Sequence, residues 1–253
     1  MVVAKSESDA AHQARIIMER ERGNVAKVDS CHAHIGVYQS RDRSEWLSKN
    51  WWEVDIWAFD VETTGLSPTN DRIVELGMAK YSNAKKCFES PQSYLINDGV
   101  MIPQFLIDKK INDITNEMLV GKPTFQDVLD DGVLDGIISD TSIVICHNRG
   151  FDFSFLSESI MRSSGARAAN ACISPVVCSM ELALTLPLGQ KNNKLETLSG
   201  LLLGESGPQT HRAGDDALMA GNLFLALARK SKDILSVRTV ADFLTLSDKM
   251  SAI

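Results

Sequence analysis

The run Ile56-Trp57-Ala58-Phe59-Asp60-Val61-Glu62 sets two carboxylates inside an otherwise apolar segment. A strand alternates its side chains between two faces, so Asp60 and Glu62 share one face near the strand's end. Like charges that close repel, and removing either from water is costly unless something positive meets it. No Lys or Arg lies within the run, so a metal ion is the expected counter-charge. Two other places put acids where a packed domain would avoid them. Asp152 sits between Phe151 and Phe153 at a helix start, just after the apolar strand pattern Ser142–Cys146. Asp215 and Asp216 open a strongly apolar helical pattern that follows a Gly- and Pro-containing loop bearing His211.

Helical spacing separates the two adjacent aspartates. Positions 216, 220, 223 and 227 are Asp, Ala, Leu and Leu, an apolar stripe that an acid enters only for a reason. Positions 215, 219, 222 and 226 are Asp, Met, Asn and Ala, a mixed stripe nearer to surface. Asp216 is therefore the ligand candidate, and Asp215 a first-turn acid favoured by the helix dipole. Four carboxylates without a soft ligand select hard divalent ions, Mg2+ or Mn2+. Two such ions, roughly 3.5–4 Å apart, can hold the attacking and leaving oxygens of a phosphodiester and lower the pKa of a bound water. An imidazole titrates near neutral pH and suits a general base.

These residues need a scaffold. Strands are expected over 54–61, 72–81, 87–96, Ser142–Cys146 and Val176–Cys178, with helices after the fourth and fifth. Three strands in succession and then alternation with helices predict an α/β fold, a mixed five-stranded sheet flanked by helices. Residues 1–50 read as a helical N-terminal extension, and 51–253 as the main domain. Tryptophans 46, 51, 52 and 57 are expected to pack that extension against the sheet. The segment Cys31-His32-Ala33-His34 offers three ligands without a fourth and is not taken as a zinc site.

The three motifs in order, Asp60-Val61-Glu62-Thr63-Thr64-Gly65-Leu66, then His147-Asn148-Arg149-Gly150-Phe151-Asp152, then His211-Arg212-Ala213-Gly214-Asp215-Asp216-Ala217, resemble the histidine-bearing branch of the DEDD 3′→5′ exonucleases. The resemblance spans roughly residues 54 to 231. It implies a ribonuclease H-like fold and two-metal-ion hydrolysis releasing nucleoside 5′-monophosphates from 3′ ends. Asp60 would be the ligand shared by both metals, Glu62 and Asp216 would complete one, and Asp152 would hold the other. His211 would be the general base. Thr63, Thr64, Gly65 and Leu66 would meet the terminal nucleotide, through backbone amides and a Leu66 wedge. Asn148 and Phe151 would support the same pocket.

The net charge of −7 excludes a long basic binding track, though not an active site for nucleic acid aided by cations. Single-stranded DNA ends in proofreading or repair are the expected substrate. The open alternatives are RNA 3′ ends, an endonuclease on the same general fold, and a non-catalytic interaction module. No run of about 18 apolar residues predicts a membrane span, and the first residues lack a secretory pattern. Five scattered cysteines without a C-x-x-C pair are read as reduced thiols of a cytoplasmic protein. About 22 residues follow the helix that carries Asp216, so no long polymerase-binding tail is expected. A protein partner would then dock on residues 1–50 or on a surface of the domain.

Overall fold

The computed structural model describes residues 44–109, 112–139, 141–165, 168, 174–204, 211–231 and 236–250. The helix expected near the N-terminus and the Cys31-His32-Ala33-His34 segment lie outside the described residues. The centre of the fold is strand β1, Asp55–Thr63, with antiparallel β2, Ile73–Ser82, on one side and parallel β5, Ser142–Cys146, on the other. Strand β6, Val176–Cys178, continues the parallel half beside β5.

The strand expected over 87–96 is divided. It forms β3, Cys87–Phe88, and β4, Gln92–Leu95, both pairing β2, so the sheet has six strands where five were expected. Pro91 stands between the two pieces, and a proline has no N–H to donate to a ladder.

Alternation along the strands divides the core in two. On β1, Ile56 and Ala58 join Ile143 and Ile145 of β5 beneath α8, Ala213–Lys230, through its Ala220, Leu223 and Leu227. Phe59 and Val61, with Val144 and Cys146, face the opposite way. They pack against α4, Phe125–Asp130, and α5, Arg149–Arg162, which bury Leu129, Phe155 and Leu156. Between these elements lie α2, Gln104–Asp108, and α3, Asn116–Leu119. Two helices, α6 (Ser179–Leu184) and α7 (Leu195–Leu203), lead from β6 towards α8. Gly204 ends α7 at φ +73°, a left-handed stop that glycine adopts without steric cost.

The described end of the extension is part of this packing. Helix α1, Ser44–Ser48, buries Trp46 in the core beneath α8. Trp51 stacks on Phe243 of α9, Val240–Met250, at 4.7 Å between ring centroids. Backbone bonds from Trp51 N–H to the Arg238 carbonyl and from Val240 N–H to the Lys49 carbonyl tie the two segments together.

Candidate active site

The site follows from where β1 outruns its neighbour. Pairing with β5 ends at Ala58–Ile145, whereas pairing with β2 continues through Asp60–Gly77 and Glu62–Glu75. The last residues of β1 thus present one open edge at the carboxyl ends of the parallel strands, where α/β sheets hold ligands. The first turn of α5 fills that edge. Asp152 is buried there, accepts the N–H of Asn148 at 3.3 Å, and is also bonded by the backbone of Val61.

Asp60 and Glu62 lie on the α8 face of β1, in line with Ala58. The start of α8 reaches them because β2 carries a glycine opposite Asp60. A Cβ on Gly77 would stand 1.9 Å from the Ala213 carbonyl carbon, so only glycine admits this approach. As a result, ligand oxygens of Asp60, Glu62 and Asp216 lie within 4.8 Å of one another. Asp216 is buried and Asp215 is exposed, as the two helical stripes require. The ladder slips by one residue between Glu62 and Thr63, an irregularity of the kind that re-aims side chains beside sites.

The electrostatics of this cluster are those of acids crowded together away from water. Burial, reinforced by Asp152, Glu62 and Asp216, pushes the Asp60 carboxyl well above the carboxylate range. Burial lifts Glu62 to about 8, against the opposing pull of a 2.8 Å hydrogen bond from Asn112 Nδ2. Asp152 is likewise raised by burial, opposed by the Asn148 N–H. So many acids in one partly enclosed space ionise together only when a cation joins them. An all-oxygen donor set of this kind fits hard divalent ions.

His211 stands apart from the carboxylate cluster. It is exposed, adopts φ +47°, and borders a cleft of about 470 Å3 that Asn148, Met180, Lys194 and Leu195 also line. Buried His147 closes off the end of β5: its Nε2 donates to the Asn193 carbonyl at 2.7 Å, and its Nδ1 meets Ser179 Oγ at 2.9 Å. Phe151 is half-buried and leans on Phe155 at 4.8 Å.

The turn after β1 is braced from within. Thr64 is buried, its N–H is spent on the Arg72 carbonyl at 2.9 Å, and its hydroxyl bonds Asp71 and accepts the Arg72 N–H. The Thr64 amide expected to meet a nucleotide is therefore committed to the turn itself. Asp71 also accepts the Ser67 N–H and fills the space where a side chain on Gly65 would go. Arg162 pins the far side through the Pro68 carbonyl. The Thr63 hydroxyl donates to the Gly65 carbonyl at 2.6 Å, and Leu66 is left 85% exposed.

Sequence reasoning missed three residues. Asn112 orients Glu62, and Glu75 forms an ion pair with Arg212 beside it. Asn112 lies fifty positions from its partner and carries no local signal. Glu75 did carry one, a charge inside the apolar run Ile73-Val74-Glu75-Leu76-Gly77, the same anomaly that drew attention to Asp60.

The comparisons agree with this geometry. An exonuclease family model, RNase_T, matches residues 57–224, which include every residue of the cluster. The chain belongs to this exonuclease family. It is 32% identical over 170 residues to the DNA polymerase III subunit epsilon of Treponema pallidum, covering 67% of this chain and 74% of that protein. It is 31% identical over 194 residues to the PolC-type DNA polymerase III of Lacticaseibacillus paracasei, covering 77% of this chain. This chain spans only 12% of that polymerase's length. Among solved structures, exonuclease X in complex with 5′-overhanging duplex DNA matches with a TM-score of 0.50 at 23% identity, over 70% of this chain and 92% of that one. E. coli exonuclease I in complex with a dA16 oligonucleotide matches with a TM-score of 0.57 at 12% identity, over 77% of this chain and 43% of that one. The exonuclease described here shares their ribonuclease H-like fold.

Proposed function

We propose that this exonuclease removes nucleoside 5′-monophosphates from the 3′ ends of DNA, single strands preferred, as in proofreading or repair. The observation that carries the reading is the cluster of half-buried Asp60 and Glu62 with buried Asp216, their ligand oxygens within 4.8 Å of one another, at the carboxyl end of β1 with Asp152 beside it. The epsilon-subunit and PolC-type relatives support DNA as the substrate.

Asp60 lies between the other acids and would be shared by two Mg2+ or Mn2+ ions, one completed by Glu62 and Asp216, the other held by Asp152. When bound, such ions polarise the scissile phosphate and acidify the attacking water. His211, exposed at the border of the cleft, would take the proton of the attacking water on its imidazole. Leu66, projecting from the braced turn, wedges against the terminal base, while Thr63 and Gly65 shape the turn beneath it. Thr64 supports that turn from inside. Asn148 and Phe151, at the start of α5, wall the pocket, and Lys194 supplies a positive charge to the cleft. The T. pallidum relative is a polymerase subunit, which supports a polymerase partner for this chain too. Such a partner would dock through residues 1–50. No described helix is long and apolar enough to cross a membrane, and we place the protein in the cytoplasm.

The test is incubation with 5′-labelled single-stranded DNA and RNA of matched sequence, with Mn2+, Mg2+ or chelator, beside an Asp60→Ala variant. A metal-dependent ladder shortening from the 3′ end, faster on DNA and absent in the variant, is expected. Faster cleavage of RNA would transfer the activity to RNA ends. Internal cuts, or equal cleavage by the variant, would overturn the proposal.

A further inference from the structure

Glu75 is fully buried, faces Glu62 across the β1–β2 ladder, and has the look of one more metal ligand. Its oxygens are already taken. Arg212 Nε donates to both at 3.1 Å, Arg212 Nη2 donates to Oε1 at 2.5 Å, and the Ala213 N–H donates to Oε2 at 3.0 Å. A carboxylate offers about four lone-pair positions, and here one two-residue segment of chain occupies both oxygens. We propose that Glu75 is a positioning residue: through Arg212 and the Ala213 N–H it fixes the backbone that carries His211.

The local backbone gives the clamp its purpose. His211 holds φ +47°, a left-handed conformation that is unfavourable for a residue with a Cβ. Such strain persists where surrounding contacts over-determine it. Here they come from the next three residues: Arg212 and Ala213 on Glu75, and Gly214 donating to Ser93 Oγ at 3.1 Å on β4. Arg212, the residue before α8, makes no side-chain cap of its own, so the acid from β2 receives the helix's first N–H. Negative charge is favourable at that end of a helix. Gly77, two residues along the same face of β2, lets the clamped backbone lie directly on the strand. One face of β2 therefore sets both the start of α8 and the histidine before it.

The inference rests on the exonuclease reading only for its effect on cleavage. The experiment compares wild type, Arg212→Ala and Glu75→Ala, each alone and on a His211→Ala background. The Arg212 side chain is 34% exposed, so its removal leaves no closed cavity, and that variant carries the test if Glu75→Ala does not fold. Arg212→Ala is expected to lower kcat about 10- to 100-fold with little change in KM, the scale of a roughly 1 Å misplacement. Without His211 the same change should cost less than about twofold, because the group it positions is gone. An undiminished loss on the His211→Ala background overturns the proposal. Backbone hydrogen exchange on metal-free protein gives a readout without activity. Amides 211–214 should exchange at least about tenfold faster in Arg212→Ala while those of β1 and β2 hold their protection. Unchanged protection overturns the clamp. If wild type cleaves neither DNA nor RNA, the nuclease reading falls, and the exchange result by itself decides for or against Glu75 as the anchor of His211.

Discussion

Glu62 and Glu75 face one another across β1 and β2, and the chain treats them in opposite ways. Glu75 is completed from within by a guanidinium and a backbone N–H. Glu62 receives one side-chain donor, Asn112, and burial among further acids lifts it to about 8. A buried acid that the chain itself neutralises is a piece of architecture. One left short of positive charge beside Asp60 and Asp216 is, on the function proposed above, where an external cation would be held. The difference is set by reach: Arg212 precedes α8 and spans to β2, where it pairs with Glu75, and its charge acts on Glu62 only as a smaller pull against burial.

The contrast can be broken by substitution. The largest effect is expected for Asp60→Ala, which removes the carboxylate flanked by the others. Release of labelled mononucleotide should fall by about a thousandfold or more, at or above the upper range for losing one electrostatic stabiliser. Gly77→Ala comes next, since its Cβ would meet the Ala213 backbone. Cleavage should fall about 100-fold through misplacement of Asp216, with roughly 1–3 kcal/mol lost in denaturant unfolding. Asn112→Ala should cost about 10- to 100-fold in metal affinity or rate, as for other residues that orient a ligand. A metal titration of the rate measures it, and an unchanged titration would remove Asn112 from the site.

The smallest effect concerns stability and has a definite sign. In metal-free protein the folded Glu62 carboxyl, raised to about 8 from an ordinary 4.5, holds a proton that the unfolded chain releases. Stability should therefore fall as pH rises between those values and level off above them. Glu62→Gln should flatten that slope and raise Tm at its upper end, by roughly 2–4 °C for each kcal/mol gained. Glu75→Ala should lower Tm, because it strands the Ala213 N–H, at about 1–3 kcal/mol for a buried donor left unmade. Thermal melts in chelator and in Mn2+ check both. A lower Tm for Glu62→Gln would reverse the distinction between the two glutamates.

Much of the neighbourhood was legible in the chain because it obeys short-range periodicity. The two-residue repeat of a strand puts Asp60 and Glu62 on one face, and the helical stripe selects Asp216 over Asp215, both as found. The third strand was misjudged at Pro91, where the hydrophobic pattern runs on but the ladder does not. The bracing of the turn by Thr64 was not legible for a different reason. Its amide is used by Arg72, a partner that only the closed turn brings near.

Sequence by itself determined which acids sit in apolar surroundings, which elements carry them, and the overall charge that rules out a long basic track. Tertiary structure decided that Arg212 and the Ala213 N–H land on Glu75 and not on Glu62. That outcome depends on strand register, on the absence of a Cβ at Gly77, and on the landing of Arg212 on a residue 137 positions away. Periodicity reports the direction of a side chain along its own element. The partner it meets is a property of the packing between elements, and in this protein that partner separates Glu75 from Glu62.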